Sequence, residues 1–339
     1  MSNHTTVVIF THNRYPFLLR VLRFLKSYET PPEILILDSS SEDVSSEDLR
    51  KILNSKGIVW KKFDPKIFIA QKIAIGLREV KTPFSVLCAD DDFIVPIALE
   101  KCVAFLKKND NYSCALGLMT LHRFPFSWSP VYYDRIAAEA LTPEERLKLY
   151  FSGKSCVPFY AVHRTEMLRL IWGETARYVS DWGLLELFPC ALSLLYGKMR
   201  VFPDLYMSRE CNTTSWYDAD YQKRIYSVEK CEKAIKGITL HLESTTSRDV
   251  NRARQFVNSE LTHYVERLNK NSVEKKSKFS FARIQQHFHY RLVRRKYSQM
   301  IANKNSKSFA DFQRVEQSVL FAKLRNDSIL NSRKEYRQS

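Results

Sequence analysis

The chain has 339 residues, 53 of them Lys or Arg and 37 Asp or Glu, for a formal net charge of +16. At roughly 100 to 200 residues per domain this length allows about two domains. A composition 45% hydrophobic and 13% aromatic excludes wholesale disorder. Anionic partners are expected and basic ones disfavoured.

Residues 251–339 hold 20 basic and 7 acidic side chains, so +13 of the +16 lies there and residues 1–250 are nearly neutral. All 12 prolines fall between Pro16 and Pro203, so a mixed first part is followed by a proline-free, helical rear. The 8 glycines are too scattered for a Gly-rich phosphate cradle of the GxGxxG or GxxxxGK[ST] type. Seven cysteines with no CxxC pair give no support to a zinc ribbon, a redox motif or a disulfide framework. The segment MSNHTTVVIFTHNR lacks a basic region leading into a long apolar one, and no stretch has about 18 uncharged apolar residues. The expectation is a reducing, cytoplasmic, non-spanning protein.

In chain order, residues Thr6 to Thr11 (TVVIFT) form a short β-branched apolar run, as expected of a parallel strand buried on both faces. Phe17, Leu18, Val21, Leu22 and Leu25 then follow at helical spacing after Pro16. EILILD (Glu33 to Asp38) is a second strand, a Ser-rich turn follows, and Glu47 to Leu53 is a polar helix. The alternation implies a right-handed βαβ unit. A helix over Ile67 to Val80, a strand over Phe84 to Ala89, a helix from Pro96 to Lys108 and a strand from Tyr112 to Leu121 complete an open α/β sheet. Further on, strands are expected at Phe159 to Val162 and Met199 to Phe202, a helix across Trp182 to Tyr196, and helices from about Tyr221 onward.

The strongest chemical signal is Cys88-Ala89-Asp90-Asp91-Asp92-Phe93, three carboxylates directly after an apolar strand. In open parallel sheets ligands bind outside the carboxyl ends of strands. Three adjacent negative charges call for a cation, and hard oxygen ligands favour Mg or Mn. The plain alternative is an Asp-rich turn that caps the helix entered at Pro96.

TVVIFTHNRYPFLLRVLRFL, EILILDSSSED and the strand ending in CADDDF together resemble the nucleotide-sugar half of GT-A glycosyltransferases of the family 2 type. The resemblance covers about 120 residues and is marked by the THNR-like first loop and the DDD motif. It implies a GT-A fold, a Rossmann-like open mixed sheet flanked by helices, with residues 1–215 as the catalytic domain and 216–339 as a basic helical region. By that resemblance Thr11 and Asp38 would serve the nucleoside, with Ser39 standing where many relatives carry a second Asp. Lys72 would lie near the donor, or be a solvated surface lysine. Asp90 and Asp92 would be the DxD pair for ribose and for the metal on the diphosphate, with Asp91 between them. The metal would be Mn²⁺ or Mg²⁺.

Ser180-Asp181-Trp182 matches, more weakly, the family's acceptor-side acidic motif, which makes Asp181 the candidate base; a helix N-cap is the alternative. Where many relatives carry a His, this chain has Met207-Ser208-Arg209-Glu210-Cys211-Asn212. Arg209 would bind the diphosphate or pair with Glu210 on the surface. Trp216 and Tyr217 are candidates for an acceptor platform or for core, whereas His12 and His163 suit structural roles. The resemblance implies transfer of a sugar from a nucleotide-sugar donor to a hydroxyl acceptor, in bacterial surface polysaccharide or glycoconjugate assembly. A nucleotidyltransferase and a non-catalytic scaffold are the rival readings. The basic amphipathic run at residues 281–301 could meet an anionic membrane surface or pack on the enzyme. No nucleic-acid motif accompanies the charge, and self-association stays open.

Overall fold

The computed structural model describes residues 4–123, 127–133, 136–153, 156–210, 231–246, 249–274 and 313–315. Strand β1 (Thr5–Thr11), helix α1 (Tyr15–Lys26), β2 (Glu33–Asp38), α2 (Glu47–Leu53), β3 (Ile58–Lys62), α3 (Ile69–Leu77) and β4 (Phe84–Ala89) form the alternating first part. Then come β5 (Phe93–Ile94), α4 (Pro96–Leu106), β6 (Tyr112–Arg123), β7 (Ser127–Tyr133), α5 (Pro143–Phe151), β8 (Val162–Arg164) and α6 (Thr165–Tyr178). A 3₁₀ turn (Trp182–Leu184), α7 (Leu187–Tyr196), β9 (Lys198–Glu210), α8 (Glu232–Thr246) and α9 (Val250–Glu274) close the series.

The strands make one mixed nine-stranded sheet in the order β3-β2-β1-β4-β8-β6-β9-β5, with β7 paired to β6. Its first four strands are parallel, β8 is antiparallel to both neighbours, and β9 runs parallel to β6. Val7, Val8, Ile9, Ile36, Leu37, Val86 and Leu87 are fully buried, as near-continuous apolar strands covered on both faces should be. Right-handed crossovers that run from β1 outward to β3 and then return to β4 place α1 with α2 on one face and α3 with α6 on the other. The order therefore reverses beside β1. The crevice at the carboxyl ends of β1 and β4 is the switch point where such sheets bind ligands.

Several sequence expectations shift. The helix expected over Ile67 to Val80 is shorter, Ile69–Leu77, and the one across Trp182 to Tyr196 splits into the 3₁₀ turn and α7. The strand expected at Phe159 to Val162 lies at Val162–Arg164, where its pairing with β4 and β6 fixes it. The strand expected at Met199 to Phe202 continues to Glu210, because it pairs along β6 and then with β5. Strand β3 and helices α5 and α6 are additions. Helix α5 opens with a capping box, Thr142 and Glu145 bonding reciprocally, and Pro143 in its first turn.

The helices after β9 pack on the sheet domain. Helix α8 lies against α7 and α6, and α9 lies against α8 and α5. Gly237 permits the close approach of α8, since a Cβ there would fall 2.8 Å from the Phe188 ring and 2.9 Å from that of Tyr178. Across the same seam His241 is bonded to the Tyr196 hydroxyl at 2.5 Å and to Glu174 at 3.1 Å. Among the described residues no helix is long and apolar enough to cross a membrane. The basic run at 281–301, and Trp216 and Tyr217, lie outside the described residues.

Candidate active site

Strand register assembles the site. Thr11 is opposite Asp38, and Phe10 is opposite Ala89, so the ends of β1, β2 and β4 are level and Asp90 emerges beside Thr11. The Thr11 hydroxyl donates to Asp90 Oδ2 at 2.7 Å. After Thr11 the chain must turn sharply into α1, and Asn13 takes the left-handed conformation, φ +53°, that Asn tolerates better than most side chains. Asn13 then laces the first loop to the second. Its N–H donates to Ser40 Oγ at 2.8 Å, and its side-chain oxygen accepts from Ser41 N–H at 2.9 Å. His12 Nδ1 lies 2.8 Å from the Ser39 carbonyl, a further tie between the first and second loops.

Asp38 is fully buried and surrounded by donors. Tyr15 Oη and Trp60 Nε1 donate to its Oδ2 at 2.9 and 3.1 Å, Ser40 N–H donates to Oδ1 at 2.8 Å, and Lys62 Nζ is 3.3 Å from Oδ2. Burial alone would raise its pKa; the bonds from Ser40, Tyr15 and Trp60 outweigh that and hold it below the usual carboxylate range.

Lys72 is 3% exposed, so the solvated-surface alternative is corrected. It sits on the buried side of α3 and donates to the Thr11 carbonyl at 2.9 Å and to Ser39 Oγ at 2.8 Å. Burial pulls its pKa down to about 8, against the opposing pull of Asp90 and Asp38. The Lys72 ammonium thus ties the ends of β1 and β2 together from beneath both loops.

The three aspartates diverge. Asp90 and Asp92 are 3% and 1% exposed. Asp90 meets Thr11 and Arg14, whereas Asp91 meets Arg14. Asp92 accepts from Arg209 Nε and from the Glu210 N–H, each at 3.1 Å, because β5 pairs with β9 at this point. Burial pushes the Asp90 and Asp92 carboxyls up, with Asp91 adding repulsion and Arg14 and Arg209 opposing. Arg209 also covers the Tyr160 ring at 4.8 Å. Of its two alternatives, the surface pairing with Glu210 is corrected: Glu210 is buried and pairs with Arg20 of α1.

Among the described residues no group of three His, Cys, Asp or Glu side chains is arranged to hold a metal ion by itself. The donors present nonetheless suit Mg²⁺ or Mn²⁺, which are commonly held by one or two carboxylates and completed by substrate phosphates. Asp181 is exposed and caps the 3₁₀ turn, accepting from Gly183 N–H at 2.6 Å. The cap geometry is therefore present, as one alternative required. The next residue, Trp182, packs edge-on against Phe68 at 5.3 Å, one turn before Lys72, so the Asp181 segment lies against the start of α3.

Residues 6–172 match the family model Glycosyl transferase family 2. The chain carries a family 2-type glycosyltransferase domain. Structures similar to this glycosyltransferase include S. aureus TarS 1-349, with TM-score 0.53 at 14% identity over 81% of this chain and 75% of that one. TarS 1-349 in complex with UDP-GlcNAc gives TM-score 0.56 at 15% identity over 81% and 76%. A longer TarS structure gives 0.52 at 14%, covering 81% of this chain and 46% of that one. These likenesses establish the GT-A fold. No curated protein sequence matches the glycosyltransferase significantly.

Arg14, Tyr15, Trp60 and Lys62 are site residues that sequence patterns did not single out. Arg14 had a local signal in THNR, and Tyr15 follows it directly. Trp60 and Lys62 reach Asp38 only because β3 pairs with β2.

Proposed function

We propose that the chain transfers a sugar from a nucleotide-sugar donor to a hydroxyl acceptor with inversion, aided by Mn²⁺ or Mg²⁺. The observation that carries this reading is the convergence of Thr11, Asp38, Lys72, Asp90, Asp92 and Arg209 at the switch point of the sheet. Asp90 and Asp92 would hold the metal, which when bound supplies positive charge against that gathering on the leaving diphosphate. Arg209 adds a guanidinium to the same phosphates, and Lys72 contributes a fixed charge behind the first loop. Thr11 and the Asp38 turn shape the nucleoside end, Asp38 acting through the loop it holds in place. Asp91, the middle residue, sits at the donor with Arg14.

Asp181 takes the proton from the acceptor hydroxyl as that oxygen attacks the anomeric carbon. Asp181 is exposed, with Oδ1 accepting from Gly183 N–H. UDP-GlcNAc, bound by a protein of the same fold, is the first donor to test. The acceptor is a glycan, lipid-linked or polymeric hydroxyl of bacterial surface polysaccharide or glycoconjugate assembly, reached from the cytoplasmic side. The basic residues after 250 suit attachment to the inner face of an anionic membrane. The domain division at about residue 215 separates that function from catalysis.

A panel of nucleotide sugars with and without Mn²⁺, read by thermal shift, tests donor binding, because a ligand that binds only the folded state raises apparent stability. A shift with one donor, larger with Mn²⁺, is expected. No shift with any donor would favour the scaffold reading.

A further inference from the structure

Among the described residues the acidic cluster is matched by cations without a metal. Asp90 and Asp91 meet Arg14, Asp92 meets Arg209, and Glu210 meets Arg20, with Lys72 behind Thr11 and Ser39 as a fourth positive charge. A divalent cation added to such a cluster makes it net positive unless one of these cations withdraws. Three of the four are poorly placed to do so. Lys72 is buried beneath the loops and Arg20 is buried against Glu210, while Arg209 meets a single carboxylate, Asp92, which the Glu210 N–H also holds, and is stacked on the Tyr160 ring.

Arg14 differs. It stands in the loop before α1, and its guanidinium alone spans two carboxylates, Nη1 3.1 Å from Asp90 and Nη2 2.5 Å from Asp91; its side chain is 27% exposed, close to the 28% of Arg209, so the two-carboxylate span sets it apart. The Phe17 ring lies 4.4 Å from Arg14 Cζ, one turn into α1, and gives the guanidinium a surface along which to move.

We propose that Arg14 is the resting counter-cation of Asp90 and Asp91, displaced by the divalent metal and then turned to the donor diphosphate. This rests on the glycosyltransferase reading and deepens it. Arg14 keeps the carboxylates paired while the site is empty, and its displacement makes metal and diphosphate bind cooperatively: the metal expels a charge that the diphosphate then receives. Metal alone is accordingly weak, and metal with nucleoside diphosphate is tight.

Calorimetric titration of the full chain with Mn²⁺ alone, and with UDP at saturating Mn²⁺, tests this on wild type, Arg14→Gln and Arg14→Lys. Arg14→Gln is expected to bind Mn²⁺ alone about tenfold more tightly, the equivalent of about 1.4 kcal/mol, and UDP about tenfold more weakly. Arg14→Lys keeps the charge but cannot span two carboxylates, so it should fall between; it carries the test should Arg14→Gln fail to fold. Arg23→Gln, which removes the exposed pair between Arg23 of α1 and Asp48 of α2, should leave both affinities unchanged. Equal or weaker Mn²⁺ binding by both Arg14 variants, or the same gain in Arg23→Gln, overturns the counter-cation role. Failure of wild type to bind UDP with Mn²⁺ contradicts instead the UDP-sugar form of the function and takes this proposal with it.

Discussion

Thr11, the last residue of β1, donates its hydroxyl to Asp90, the first residue after β4, at 2.7 Å in a buried setting. One bond thus ties the first loop to the acidic cluster across adjacent parallel strands. The order of the sheet and the register of β1 against β4 put the two residues side by side.

Thr11→Val keeps the shape of the side chain but leaves Asp90 without that donor. A hydrogen bond to a charged buried group contributes about 1.5–3 kcal/mol. Urea denaturation should show a loss of that order, and UDP binding should weaken at the same time. Unchanged stability and unchanged UDP affinity would mean that the bond holds nothing in place.

Asp92→Ala should abolish metal-dependent turnover of a nucleotide sugar, while Asp181→Asn should bind donor as well as wild type and fail to transfer. Donor binding by calorimetry and transfer by product analysis separate the two effects. Retained transfer in Asp181→Asn would leave Asp181 as the cap of its 3₁₀ turn and nothing more.

Stability should respond to pH through His163. This residue is 1% exposed, bonded at Nδ1 to the Ala161 carbonyl and at Nε2 to Ser193, and burial pulls its pKa from 6.5 to about 4, with the Ala161 bond opposing. Below pH 6.5 the unfolded chain takes up a proton that the folded chain refuses. The folded state therefore loses about 1.4 kcal/mol per pH unit from this group as pH falls from 6.5 towards 4. Urea unfolding of wild type and His163→Gln between pH 7.5 and 5 isolates the contribution, because Asp90 and Asp92 titrate alike in both. Parallel pH profiles would contradict it.

Gly237→Leu should lower the melting temperature by forcing α8 away from Phe188 and Tyr178. Overpacking of this kind costs about 1–3 kcal/mol. Limited proteolysis should then cut sooner in α8 and α9 than in the sheet domain. A variant with wild-type melting and digestion would mean that the seam is loosely packed.

Much of the first part was legible because buried parallel strands announce themselves. TVVIFT, EILILD and FSVLCA are short apolar runs, and their order predicts the crevice at which Asp90 and Asp92 are found. β3 was illegible for the opposite reason. It is an edge strand with Val59 and Trp60 exposed, so no buried face imprints alternation on its sequence; pairing with β2 alone defines it. The capping box Thr142–Glu145 is a local signal for α5 that the sequence does carry. In the site, local sequence identified the acidic strand end but could not tell a solvated Lys72 from a buried one. That distinction depends on α3 packing under two loops. Likewise, the pairing of Arg209 with Asp92 instead of Glu210 follows from the meeting of β5 and β9, strands far apart in the chain.

The central claim is tested most directly by incubating the full chain with Mn²⁺ and nucleotide sugars, UDP-GlcNAc first, with candidate hydroxyl acceptors, and following both nucleoside diphosphate and pyrophosphate. Release of nucleoside diphosphate matched by glycosylated acceptor, lost in Asp92→Ala, is the predicted result. Pyrophosphate released from a nucleoside triphosphate, with no glycosylated acceptor from any donor, would contradict it.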